Sequence, residues 1–403
     1  MAKRVLIVNK FYYSRGGDCV CTLNLEKLLI DNGFQVMVYA MQYHKNLPSK
    51  HSKYFAKEVN FLGGISDKFN AIKRTLGIGN IKKSFKHVLE EFKPDVVHIQ
   101  NIHSYISPVV VKMAKEYGCR VVWTLHDYKL LCPSYSCLNK GKPCELCFND
   151  KRNVLKQKCM KGSVMASILA YVEALKWNRT RIEKYTDAFV CPSMFMKTKM
   201  ELGGFNAHKL HKICNFIDPH KAEILNNIDC THKEDCYVYV GRLSEEKGVR
   251  TLLKVATTLP YTLKIAGGGP LLDELKAEYS KYANIQFLGH LSAEDISLLM
   301  AKAKFLVVPS ECYENNPLSV IESLYAGTPV LGANIGGIPE LVNANNGLIF
   351  EPGNVIDLED GIKRAFNINW NTMDIKAQAL INFSSEKYYN NIMNCYFPFD
   401  VKM

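Results

Sequence analysis

Short apolar runs alternate with amphipathic helical stretches along the whole of this chain. In the first half the runs read RVLIVN, FQVMVYA, DVVHIQ, RVVWTLH, AFVCPS and KLHKICNF. In the second half they read CYVYVG, YTLKIAG, IQFLG, FLVVPS, PVLGAN and GLIFEP. Strand-length runs that are apolar at nearly every position are buried on both faces, which requires a parallel sheet with helices on either side. At 403 residues the chain can bury two such cores. The polar segment 220–235, HKAEILNNIDCTHKED, reads as a linker between them. We therefore expect an α/β protein with a first Rossmann-like domain over 1–220 and a second over 236–373. A helical segment over 374–403 is expected to pack back on the first domain.

Hydrophobic content of 47% and charged content of 22% fit a globular protein. The opening MAKRVLIVNKFYY has an apolar run too short for a signal peptide and suits a first strand. No stretch approaches the ~18–20 apolar residues of a membrane span. A cytoplasmic location follows as an expectation, with the 14 cysteines reduced. Charge is uneven. Up to residue 200 there are 33 Lys and Arg against 15 Asp and Glu, a net of +18; beyond it 18 stand against 24, a net of −6. The first half is thus expected to meet something anionic: pyrophosphate, phospholipid or nucleic acid. Residues 66–93 set Phe69, Ile72, Leu76, Ile81, Phe85 and Val88 among lysines, and 151–184 add further cations. That mixture suits either a surface-lying contact with an anionic membrane or a solvated basic rim over the domain's own core.

The chemistry concentrates in YENNPLSVIESLYAGTPVLG, residues 313–332. Asn316 is a suitable N-cap and Pro317 a suitable first helical residue, with Gly327 ending the helix. Glu314 then precedes the helix and Glu322 lies inside it. A strand, a loop and a helix start at the carboxyl edge of a parallel sheet form the usual ligand position of such folds. The amides of Leu318 and Ser319 suit a phosphate, and two flanking carboxylates suit hydroxyl groups, so the ligand described is a nucleotide sugar. Upstream, YVYVGRLSEEKG places Arg242 and Lys247 just past a strand, able to neutralise a diphosphate without a metal.

GRLSEEKG, followed by PSECYENNPLSVIESLYAGTPVLGANIGGIPELV, resembles glycosyltransferase family 4, whose E-x7-E signature falls on Glu314 and Glu322. The likeness runs over nearly the whole chain. It implies a GT-B fold, two facing Rossmann-like domains with the active site in the cleft, and retaining, metal-independent transfer from a UDP- or GDP-linked sugar. It implies that Arg242 and Lys247 hold the diphosphate, Glu322 the ribose and Glu314 the donor sugar. His290 falls where the family's backbone meets the base, and Gly267-Gly268-Gly269 match a glycine-rich turn. In the first domain Gly16 and Gly17 match the family's phosphate-approaching loop, and His126 the histidine that reaches the donor sugar. Asp127 would either orient His126 or cap the next helix, while Asn101 and His103 share its rim. Family members often build surface polysaccharides on lipid carriers, which implies a glycan or lipid-linked acceptor and a peripheral membrane enzyme.

Cys132, Cys144, Cys147 and Cys159, within an insert over about 132–159, have the spacing of a structural tetrahedral zinc site, with Cys137 as a spare or substitute. Unligated loop cysteines are the plainer reading. Two other classes fit parts of the chain. A basic, zinc-bearing nucleic-acid binder would explain the first half alone, without a recognisable binding module. A nucleotide-sugar epimerase of GT-B type would use the same donor site.

Overall fold

The computed structural model describes residues 3–61 and 63–398. They form two compact units. The first comprises the chain up to Asn139, Cys144–Ile213 and the stretch from Tyr389; the second comprises Lys140–Pro143 and Cys214–Tyr388.

The first unit is built on a six-stranded sheet in the order Gln35–Tyr39, Arg4–Val8, Val96–Ile99, Arg120–Thr124, Ala188–Cys191, Leu210–Lys212. All its pairings are parallel. Val5 to Val8 and Val96 to Ile99 are almost wholly buried, as two-sided helix cover requires. The chain order reverses between Arg4–Val8 and Val96–Ile99, which makes their carboxyl ends the topological switch point.

The second unit repeats the design with the order Ile285–Gly289, Thr262–Ala266, Glu234–Val240, Ala303–Val308, Val330–Ala333, Gly347–Phe350, again all parallel. This is the Rossmann strand order, with its switch point between Glu234–Val240 and Ala303–Val308. All twelve expected strand runs contribute a strand.

The boundaries differ from expectation. The segment 220–235 is not a bare linker. Asp218 caps a helix over Pro219–Asn227 by accepting from the His220 and Lys221 amides, and Leu225 is buried in the second unit's core. The chain beyond 374 is two helices, Thr372–Asn382 and Ser385–Tyr396, rather than one segment. The first of these stays with the second unit because Ile375 and Ala379 are buried in that core. Only the chain from Tyr389 joins the first unit, where Tyr396 OH lies 2.5 Å from His98 Nδ1 and Cys395 O accepts from Arg120 Nε at 3.0 Å.

Candidate functional site

In the second unit, the loops after the two switch-point strands carry the expected cations and carboxylates. Lys247 Nζ lies 2.5 Å from Glu314 Oε1, and Ser310 Oγ donates to the same oxygen at 2.6 Å. Burial disfavours both charges, but each stabilises the other. The Lys247 pKa is raised by the Glu314 carboxylate against the effect of burial. The Glu314 pKa is lowered, against burial, by Lys247 and the Ser310 hydroxyl. The pair is held from behind by Gly336 and Gly337. The Gly337 amide donates to the Glu314 carbonyl at 2.7 Å. Gly336 has φ +63°, and a Cβ there would stand 2.2 Å from the Glu314 carbonyl oxygen, so only glycine permits this approach.

The helix begins one residue later than the sequence suggests. It runs over Leu318–Tyr325 with Pro317 in the capping position. Asn316 is drawn away from a capping role: its Oδ1 accepts from the Asn215 amide at 2.9 Å and its carbonyl from Asn215 Nδ2 at 2.8 Å. Its own Nδ2 is buried and lacks a partner. Leu318 and Ser319 therefore occupy the first turn, where helical N–H groups have no internal acceptor. Glu322 accepts from Lys221 Nζ at 2.6 Å. Arg242 is exposed just past its strand, its carbonyl accepting from Tyr239 OH at 2.7 Å. The glycine turn lies beneath: Leu243 N donates to Gly268 O at 2.9 Å, and the exposed His290 ring lies against Gly268. The structure thus brings Lys247 to Glu314, and the Arg242 loop to the glycine turn beside His290.

In the first unit, the switch-point ends carry a buried polar network. His126 Nε2 donates to Gln100 Oε1 at 2.6 Å. Lys10 Nζ lies 3.3 Å from Asp18 Oδ2, and Asn101 Nδ2 donates to Asp18 at 3.0 Å and to Asp127 at 3.3 Å. His103 Nε2 lies 3.7 Å from Asp127 Oδ1. Burial lowers the His126 pKa, against the pull of Asp18 and Asp127. Burial raises that of Asp127, while Lys10 and His126 outweigh burial and lower that of Asp18. Asp127 Oδ1 accepts from the Lys129 amide at 2.9 Å and so closes a turn rather than capping a helix; Gln100, not Asp127, holds His126. Gly16 caps the helix Gly17–Asp31 with an extended backbone, and a Cβ on Gly17 would meet nothing within 4 Å.

Sequence reading missed Ser310, Lys221, Lys10, Asp18 and Gln100. Asp18 directly follows Gly16 and Gly17, and Gln100 ends the run DVVHIQ, both already singled out. Lys221 was hidden in the supposed linker.

In the cysteine insert, the Cys137 and Cys147 thiols lower the Cys132 pKa by hydrogen bonding, and Cys132 Sγ lies 3.1 Å from Ser134 Oγ. Among the described residues no group of three or more His, Cys, Asp or Glu is arranged to hold a metal ion.

Two Rossmann-type sheets, each with charged groups at its switch point, define a two-domain α/β protein. Residues 15–221 match the family described as Glycosyltransferase Family 4, and residues 221–383 match Glycosyl transferases group 1. The chain belongs to glycosyltransferase family 4 and is a glycosyltransferase of GT-B fold. It is 28% identical over 394 residues to an uncharacterized 42.6 kDa protein in the cps region of Klebsiella pneumoniae, covering 91% of this chain and 97% of that one. A shorter match, 36% over 135 residues, is to glycogen synthase of Mycobacterium tuberculosis, covering 31% of this chain and 32% of the relative. Among solved structures, sucrose-phosphate synthase from Thermosynechococcus elongatus superposes with TM-score 0.69 at 16% identity, covering 100% of each chain. Anabaena Alr3699/HepE in complex with UDP-glucose superposes with TM-score 0.64 at 17% identity, covering 97% of this chain and 98% of that one. Nothing in these likenesses supports the nucleic-acid reading.

Proposed function

We propose that the protein moves a sugar, with retention, from a nucleotide-sugar donor to a glycan or lipid-linked acceptor in surface polysaccharide biosynthesis. The observation that carries this reading is the Lys247–Glu314 pair at the switch point of the second sheet. In this reading the donor exchanges that pair. Its diphosphate takes Lys247 and Arg242, together with the first-turn amides of Leu318 and Ser319. Glu314 is thereby released to hydrogen-bond the donor sugar. Glu322 holds the ribose, and the base lies by His290.

The bond from the anomeric carbon to the diphosphate oxygen breaks as positive charge develops on the sugar. The departing oxygen takes the proton of the acceptor hydroxyl, whose oxygen bonds to the same face. No side chain need become a nucleophile; catalysis is positioning together with stabilisation of the leaving charge. His126, held by Gln100, serves the sugar being transferred, and the loop at Gly16 and Gly17 approaches the donor phosphate. The cps-region relative supports the polysaccharide setting, and the neighbour solved with UDP-glucose supports the donor class. We place the enzyme on the cytoplasmic face of a membrane, where a lipid-linked acceptor would lie. No helix among the described residues is long and apolar enough to cross a membrane, so the association proposed is peripheral.

The test is a thermal-shift screen against UDP-, GDP- and ADP-linked sugars, followed by nucleotide release with candidate acceptors. A stabilising donor that is turned over only with acceptor supports the reading. No shift and no release with any nucleotide sugar overturns it.

A further inference from the structure

The helix Val164–Lys176 is turned inside out. Its buried positions are Ser167, Ala170 and Glu173, and Glu173 is only 3% exposed, its carboxylate 2.8 Å from Lys129 Nζ. The opposite face presents Val164, Met165, Ile168, Val172 and Leu175, all 39–73% exposed. A core-packing helix has the reverse pattern. The helix Ile65–Thr75 likewise exposes Ile65, Phe69 and Ile72, spaced four and three residues apart on one face. The carboxyl ends of the two helices meet: Trp177 Nε1 donates to Thr75 O at 3.4 Å, and Lys176 Nζ donates to Leu76 O.

Where they meet is a cavity of about 340 Å³ lined by Lys82, Lys112, Lys176, Arg181, Trp177 and Tyr185. Its walls hold four cations, two aromatic rings and no carboxylate. Among the described residues, the ion pair shown for these cations is that of Lys112 with Glu116, 3.6 Å away one turn along the same helix and outside the lining. Burial and the neighbouring charges of Lys82 and Arg181 lower the Lys176 pKa, as befits positive charges gathered without a counterion.

We propose that this face of the first unit docks on an anionic phospholipid bilayer, the cavity receiving the phosphate of a lipid headgroup. Charge complementarity selects this occupant. Apolar side chains enter the acyl boundary while the cations beside them meet the headgroup phosphates, which is how interfacial helices bind. The rings of Trp177 and Tyr185 suit the same boundary, each having an apolar body and a polar edge. The inference rests on the peripheral part of the proposed function and is independent of the sugar-transfer chemistry.

The experiment is co-sedimentation of the full chain with vesicles of phosphatidylcholine alone or with phosphatidylglycerol added. It compares wild type, K176A/R181A for the cavity and M165S/V172S for the apolar face, each checked for unchanged melting temperature and nucleotide-sugar binding. Wild type is expected to pellet only with the phosphatidylglycerol vesicles, and to be released at high salt. K176A/R181A should bind roughly 10- to 30-fold more weakly, the effect of two cations near an anionic leaflet, and M165S/V172S should also weaken. Binding to anionic vesicles that both variants retain overturns this surface while leaving the peripheral reading standing. Failure of wild type to pellet overturns both. Saturation of the cavity by free glycerol phosphate without vesicle binding, read from Trp177 fluorescence, assigns a soluble ligand and overturns the lipid. Dimerisation abolished by M165S/V172S, again without vesicle binding, assigns a second copy of the chain and overturns it likewise.

Discussion

Lys247 and Glu314, 67 residues apart in sequence, neutralise each other at 2.5 Å across the switch point of the second sheet. Substituting either leaves the other charged and partly buried, so the losses should be coupled. Lys247→Ala and Arg242→Ala should each cost at least ~10²-fold in rate, as loss of a preorganised charge at a transition state does. A double-mutant cycle on Lys247 and Glu314 should give a smaller loss of melting temperature than the two single losses summed. Additive losses would remove the pair from the explanation.

Glu322 is tied to Lys221 at 2.6 Å, and Glu314 to Lys247. With a ribose as its partner, Glu322→Ala should raise the donor Kd by roughly tenfold or more, the worth of hydrogen bonds to a charged acceptor, with a small effect on kcat. Glu314→Ala should chiefly lower kcat. Calorimetric donor binding and steady-state kinetics separate the two, and wild-type parameters in both variants would contradict the assignment.

Gly17 and Gly336 make a contrasting pair. Gly336→Ala forces a Cβ onto the Glu314 carbonyl at a positive φ and should lower the melting temperature. Gly17→Ala meets open space at a helix start and should leave the fold intact. If a donor phosphate approaches that loop, its affinity should fall on the order of tenfold, about the value of one charge-assisted bond to a backbone amide. An unchanged donor Kd in Gly17→Ala would take the loop out of the site.

The buried imidazoles predict an acid-sensitive first unit. Burial depresses the pKa of His98 and His103 from 6.5 to about 3 each, helped by the positive charge of His126 for the first and of Lys129 for the second. The unfolded chain takes up these protons first. The stability of keeping them neutral is therefore complete above pH 6.5 and is lost as pH falls toward 3. Glu314, whose pKa is lowered, adds its own loss only below the ordinary carboxylate value of 4.5. Between pH 6.5 and 5 each of these histidines should contribute a slope of up to about 1.4 kcal/mol per pH unit, opposed by Asp127, whose raised pKa favours the folded state as it protonates. Denaturation of wild type and His103→Gln across that window checks it; equal slopes would exclude His103 as a source.

The twelve strands of the two six-stranded sheets were legible chiefly because two-sided burial leaves a nearly unbroken apolar run in the inner ones, whereas the edge strands Leu210–Lys212 and Ile285–Gly289 are only part buried. The Glu314 and Lys247 loops were legible because they directly follow such runs. What escaped depends on distant partners. Asn316 has the side chain of a cap, yet Asn215, 101 residues away, takes it. Lys221 lies in a polar stretch whose helical pattern is weak and whose partner, Glu322, is 101 residues on. The mixed segment 66–93 divided: Ile81, Phe85 and Val88 are buried, whereas Phe69 and Ile72 face outward. Periodicity alone gives the face of a helix, not which neighbour covers it.

The first unit is completed by the chain from Tyr389, with Tyr396 beside His98 and Cys395 accepting from Arg120. These residues follow the whole of the second unit in the chain. The first sheet therefore emerges early but waits, with His98 and Arg120 lacking those partners, until the whole second unit has been synthesised. Order of birth and order of completion are opposed in this chain, so a chain truncated before Tyr389 has every residue of the second unit and an incomplete first.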